Sequence, residues 1–266
     1  MMHYESFFTI FSILFFISIA ITYFKSKRKI FQDFKIVITK YLFILLLLKI
    51  ITISILFNNI KIPMLLIVIG LIFKLAYIYI IMVVGIELCE KNNLKFNNKI
   101  NINFDKKTVI YMAVFLFINL IISNLIFSNF IIKQSEYSIN LLNSIFILMP
   151  PTNGIIGLII LIISQLPIAI EEEILYRLGL QNLVSYILKL HNSNYILAVL
   201  ISSFFFALSH YPNTDSPFLK ILQIFPIGIG LGLIFKKYGL EASIVSHWTF
   251  NIIVGFINNY ILNSHN

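Results

Sequence analysis

Charge is scarce in this sequence, and negative charge scarcest. Of 266 residues only 12% are charged and 11 are Asp or Glu, while 59% are hydrophobic and the mean hydropathy is +0.93. A soluble domain carries about 25% charged and 45–50% apolar residues, so this balance excludes a soluble globular protein, a disordered chain and a coiled coil. Cysteine is rarer still. With Cys89 alone there is neither an intramolecular disulfide framework nor a Cys-based zinc site, and a buried or interfacial free thiol is expected. A basic face interleaved with aromatics is also missing. The net charge of +9 and pI near 9.5 therefore do not indicate a nucleic-acid partner.

What is abundant is apolar length. A helix crossing a bilayer needs roughly 20 mostly apolar residues, and eight such runs are present, near 5–24, 41–57, 62–87, 109–132, 145–170, 195–210, 219–235 and 242–262. The first has its positive cluster after it rather than before, which suits a reverse-oriented anchor and not a cleaved signal peptide. Between the runs the basic residues are unevenly shared. Fifteen of 20 fall on one side, Lys61, Lys133 and Lys220 on the other, and Lys49 and Lys74 within spans. That asymmetry orients the chain with both termini outside the cytoplasm. Lys49 and Lys74 either line a polar pathway or snorkel and pair with a backbone carbonyl. The longest hydrophilic stretch, 89–107, is a cytoplasmic loop. The expected fold class is all-α, a polytopic membrane protein of about eight transmembrane helices in a lipid bilayer.

The acidic residues carry the chemistry. Glu171, Glu172 and Glu173 are consecutive and close a segment with no charged residue from 137 to 170. A charge at the bilayer centre costs roughly 2.5–3.5 kcal/mol on insertion scales, so such a cluster marks a site. The structural alternative is an interfacial acidic cap opening an amphipathic helix at 174–190, where negative charge suits a helix amino end. His210 and His247 are the two histidines on apolar helices. Asn251 lies four residues after His247, on the same helix face, and Arg177 four after Glu173, within pairing distance on a helix. His210 is followed by Tyr211-Pro212, which ends its helix. A Glu with an Arg partner, a His, and a His–Asn pair on three apolar helices are the parts of a site that activates water and stabilises an oxyanion.

Three motifs follow from these residues. Glu172 to Arg177 reads E-E-x-x-x-R, Phe206 to His210 reads F-x-x-x-H, and His247 to Asn251 reads H-x-x-x-N. In order and spacing they resemble those of the CPBP intramembrane proteases, also called the CAAX protease and bacteriocin-processing or Abi family. Gly228, Gly230 and Gly232, then Tyr238-Gly239-Leu240, extend the resemblance over roughly 109–262. It implies an N-terminal part, 1–108, of transmembrane helices and loop, and a protease core, 109–266, enclosing an intramembrane active-site cavity. It further implies Glu172 as general base on a water, helped by His210, with His247 and Asn251 donating to the oxyanion and Glu173 and Arg177 supporting. By chemistry alone Glu172, His210 and His247 would equally suit zinc with a water in its open position. The family has been described both ways, so the cofactor is none or zinc. One departure is local: the family usually has Gly after the Arg, and here Leu178 precedes Gly179. Spacing to Arg177 makes Glu171 the extra glutamate.

With the spans as drawn, His210 lies about 15 residues, or roughly 22 Å, from the start of its helix, while Glu172 and His247 lie near the cytoplasmic ends of theirs. They meet only if the sixth span stops in mid-membrane at Pro212, or if the fifth continues past Arg177; some of both is expected. The resulting functional reading is an endopeptidase of a bacterial plasma membrane, multi-pass, acting on a membrane-associated peptide or protein. The alternatives are a non-catalytic bacteriocin immunity or scaffold protein, and a small transporter using Lys49, Lys74 and the carboxylates.

Overall fold

In hydrocarbon every backbone N–H and C=O must be bonded within the protein, and a single apolar run achieves this as a helix. The computed structural model describes residue 17 and residues 28–56, 64–94, 104–128, 155–190, 194–211 and 217–256, and among them every regular element is helical. In chain order these are α1 (Arg28–Leu56), α2 (Met64–Lys91), α3 (Lys106–Ser128), α4 (Ile155–Glu173), a π-helical segment (Ile174–Gln181), α5 (Asn182–Ile187), α6 (Tyr195–Ser209), α7 (Pro217–Tyr238) and α8 (Leu240–Phe256). The all-α class holds. Two stretches, Val68–Lys91 and Phe218–Tyr238, are long and apolar enough to cross a membrane. The expected run at 5–24, apart from residue 17, and positions 145–154 and 257–262 lie outside the described residues.

Several boundaries move. The basic cluster that precedes the expected second span is helical from Arg28, since Lys and Arg are good helix formers. The region expected to open a new amphipathic helix instead continues α4 without a break through the π segment and α5. Nor is it amphipathic in place, because Arg177, Gln181, Asn182 and Ser185 are buried along with its apolar residues. The polar groups find hydrogen-bond partners inside the bundle. Gln181 Nε2 donates to the Tyr195 hydroxyl and the Gly232 carbonyl, both at 3.2 Å. Asn182 Nδ2 donates to the Leu178 carbonyl at 2.9 Å and meets the buried Cys89 Sγ at 3.0 Å. Cys89 is thus the buried free thiol expected.

Close packing centres on α7. A Cβ added at Gly228 would stand 2.9 Å from Ser203 Cβ, and one at Gly232 2.8 Å from both the Gln181 side-chain oxygen and Val199, so this face admits α6 and the π segment. Gly230, on the opposite face, receives the Phe115 ring of α3. The chain then turns into α8 through Gly239 alone, at φ +93°, which favours glycine. At the start of α3, Asp105 caps the helix, accepting from the Thr108 hydroxyl and, at 2.8 Å, from its N–H. Those two bonds hold the Asp105 carboxyl below its usual range. Lysines gather at this end of the bundle: Lys237 lies over the Tyr111 and Tyr238 rings, Lys236 over Tyr195 and Lys91 over Tyr186.

Candidate active site

The three glutamates end α4, and on a helix consecutive side chains point about 100° apart. They accordingly face three different partners. Glu171 meets two ammonium groups, Lys49 of α1 and Lys74 of α2, each at 2.6 Å and one on each carboxylate oxygen. The two lysines therefore pair with a carboxylate rather than with backbone carbonyls. Glu173 is fully buried. It accepts from Arg177 Nε at 3.2 Å, from His247 Nδ1 at 2.8 Å and from the Ser243 hydroxyl. Glu172 lies between them, partly exposed, with His247 Nε2 at 3.4 Å and His210 Nε2 at 4.0 Å. The acidic-cap alternative does not fit, because the triplet sits within one continuous helix and not at a helix start.

His210 and Glu172 come together as the sequence requires, and by both routes. α6 spans only Tyr195–Ser209 with His210 as its cap, about 22 Å of helix at 1.5 Å per residue, short of a hydrocarbon core about 30 Å thick. The α4 helix, for its part, runs past Arg177 into the π segment. His247 comes from α8, with Asn251 one turn further along it.

The second nitrogen of each imidazole fixes its role. His247 Nδ1 faces the Glu173 carboxylate, and His210 Nδ1 faces the Phe206 carbonyl at 2.8 Å. Both partners can only accept, so both Nδ1 atoms carry hydrogen. In the neutral rings each Nε2 is then a lone pair aimed at Glu172. Three acceptors converge with no proton among them, an arrangement that suits a hydrogen-bond donor or a cation. Water is such a donor.

Charge also balances. Lys49, Lys74 and Arg177 match Glu171, Glu172 and Glu173 while the histidines are neutral. Phe206 packs the cluster. Its ring lies 4.9 Å from His210 and 5.6 Å from His247, both edge-on, and 4.9 Å beneath the Arg177 guanidinium.

The donor types of Glu172, His210 and His247 would suit zinc, and the carboxylate behind His247 is the usual support of a metal-bound imidazole. Their placement is less suited: among the described residues no three His, Cys, Asp or Glu side chains are gathered closely enough to hold a metal ion.

Two contributors were not singled out in the sequence, Ser243 and the Glu171–lysine pairing. Ser243 stands four residues before His247, on the same face of α8, so spacing alone would have found it. The local departure from the family pattern also has a structural answer. Leu178, where a Gly is usual, packs on Gly85 of α2, where an added Cβ would lie 2.6 Å from both the Leu178 side chain and its carbonyl oxygen. The missing small residue is supplied by the neighbouring helix.

Composition, apolar helices and a buried carboxylate–imidazole cluster define an all-helical membrane protein with a polar site among its central helices. The site lies within a recognised domain: residues 152–253 match the family model of the type II CAAX prenyl endopeptidases, Rce1-like. All three motifs fall inside that match, and the resemblance to the CPBP, or CAAX protease, family is borne out there. The chain is also similar to the sporulation-killing factor biosynthesis protein SkfC of Bacillus subtilis (strain 168), 29% identical over 87 residues, which are 32% of this chain and 17% of the relative. The match thus spans about a sixth of that relative. No solved structure matches the chain.

Proposed function

We propose that the protein is an intramembrane endopeptidase that hydrolyses a peptide bond of a membrane-associated peptide or protein, with a water activated by Glu172. The observation that carries this reading is the convergence of the Glu172 carboxylate with His247 Nε2 at 3.4 Å and His210 Nε2 at 4.0 Å. Both separations are within reach of one bridging water. Glu172 removes the water's proton as hydroxide attacks the scissile carbonyl, and His210 orients that water. That proton passes on from Glu172 to His247 Nε2, 3.4 Å away, which thereby becomes a donor, and the imidazolium is stabilised by Glu173, as a carboxylate stabilises the histidine of a hydrolytic triad. Together with Asn251 it then faces the oxyanion, the charge whose stabilisation usually contributes most to such a reaction. The leaving amine then takes the same proton back from His247 by way of Glu172.

The substrate class follows from the apolar surroundings and from the family. A polar site within apolar helices is reached by a segment already in or on the bilayer. Since the Bacillus relative is named for the biosynthesis of a killing factor, maturation of a bacterial peptide is the reading favoured over processing of a prenylated protein. In this reading the core is 109–266, with residues 1–108 as its membrane-spanning support, about eight spans cross a plasma membrane, and the site lies in a cavity between them.

The test is cleavage of candidate membrane peptides by the purified full-length protein. Wild type is expected to cleave, and Glu172→Ala and His247→Ala to fall by at least about 10²-fold each. Unchanged cleavage by Glu172→Ala would overturn the role of Glu172, and no cleavage by wild type, with immunity retained in Glu172→Ala, would leave the immunity or scaffold role. Loss of activity on dialysis against a strong chelator, restored by zinc, would replace carboxylate catalysis by zinc hydrolysis at the same three residues.

A further inference from the structure

The glutamate left over by the family motif, Glu171, has partners that no part of the hydrolytic scheme uses. Its two oxygens are each engaged by a lysine, at 2.6 Å, and the lysines come from two different helices, Lys49 on α1 and Lys74 on α2. Both helices lie in the part of the chain before residue 108, outside the family match at 152–253. On the other side of α4, Glu173 is fastened to Arg177, Ser243 and His247. Glu172 is the middle residue of three and, among the described residues, no Lys or Arg pairs with it. Its direction depends on the rotation of α4 about its axis, and its two neighbours hold that rotation from opposite sides.

The geometry is sensitive to this. A side chain reaches about 5–6 Å from the helix axis, so a rotation of about 20° carries a carboxylate about 2 Å. A misplacement of about 1 Å at a reacting group can cost on the order of 100-fold in rate. The register is not fixed from the carboxyl-terminal side either, because the α-helical ladder changes to a π-helical one at Ile174.

We infer that Lys49 and Lys74 are positioning residues. Through Glu171 they set the rotation of α4, and so aim Glu172 at His210 and His247, giving the amino-terminal helices a direct part in the site. This rests on the proposed hydrolytic role of Glu172, and it is tested by two readouts, only one of which needs activity. The chain has a single tryptophan, Trp248, next to His247, and its indole Nε1 donates to the Ile162 carbonyl of α4 at 2.9 Å. Its emission therefore reports the seating of α4 against α8.

The variants are Lys49→Met, Lys74→Met, Lys49→Arg and the apolar triple Lys49→Met/Lys74→Met/Glu171→Leu, all as full-length protein. The triple guards against misfolding, since it removes all three charges together and leaves the buried Glu171 site without an uncompensated ion. Lys49→Met is expected to lower kcat by about 10- to 100-fold with little change in KM and to shift the Trp248 emission maximum, and Lys49→Arg to restore both. Lys74→Met should shift both readouts in the same direction. The triple should melt no lower than wild type and yet keep the low kcat and the shifted emission. Wild-type kcat and emission in the triple, or Lys49→Arg as impaired as Lys49→Met, would overturn the inference. If wild type cleaves nothing while the emission shifts appear as described, the positioning stands and the hydrolytic reading fails instead.

Discussion

Adjacent glutamates of one chemical type are given different tasks by where a helix turns them. Glu173 and Arg177 are both fully buried and hold each other's charge. Removing one partner of such a pair leaves an uncompensated charge, at a cost of roughly 3–5 kcal/mol. Glu172 is partly exposed and faces His210 and His247. Glu173→Ala should therefore lower both stability, by about that amount, and activity, because His247 also loses the acceptor that fixes its tautomer. Glu172→Gln should abolish cleavage while leaving the unfolding midpoint in detergent within about 0.5 kcal/mol of wild type. Equal stabilities for the two variants would show that the roles of the neighbouring carboxylates have been exchanged or that neither is structural. The sequence distinguished Glu172 and Glu173 from Glu171 by spacing to Arg177 alone. It could not show that Lys49 and Lys74 select Glu171, since their partner lies far along the chain and on a third helix.

At the scale of elements, the site exists because helices approach more closely than ordinary side chains allow. Leu178 of the π segment sits on Gly85 of α2, so Gly85→Ala brings a methyl to 2.6 Å from the Leu178 backbone oxygen. A side chain could swing aside; a carbonyl in a helix cannot. Overpacking of this kind costs about 1–3 kcal/mol, and Gly85→Ala is expected to unfold earlier by that margin. Leu178→Ala in the same chain removes only the side-chain part of the clash, so the double variant should recover part of the loss. A strictly additive pair, measured by thermal unfolding in detergent, would mean the two residues do not touch. Periodicity and apolar length located the helices themselves from sequence. They did not show that the stretch after Glu173 continues α4, because Gln181 and Asn182 read as the polar face of a separate amphipathic helix until their partners on α6 and α7 are seen. The short α6 was legible, since Pro212 follows His210 closely and a helix cannot run through it with its ladder intact.

For the whole molecule, the scarcity of charge is an ordering principle as well as a mark of membrane residence. Three of the 11 acidic residues stand together at the carboxyl-terminal end of α4, while a group of lysines marks one end of the bundle. Lys237 near the end of α7 lies over Tyr111, one turn beyond Lys107 in α3, and Lys91 and Lys236 lie over Tyr186 and Tyr195. Aromatic and cationic side chains gathered in this way suit a membrane–water boundary. Lys220 occupies the first turn of the same α7, roughly 25 Å from Lys237 at 1.5 Å per residue, which places it at the opposite boundary. The prediction is topological. In a Cys89→Ala background, Lys107→Cys and Lys237→Cys should react with a membrane-impermeant maleimide in inverted vesicles and stay unlabelled in intact cells. Lys220→Cys should show the reverse. Labelling of Lys107→Cys and Lys237→Cys from opposite sides would contradict both the Lys237–Tyr111 contact and the charge asymmetry that orients the chain. Labelling of all three from one side would mean that α7 does not cross the membrane, and the site would then belong to a helix cluster at its surface.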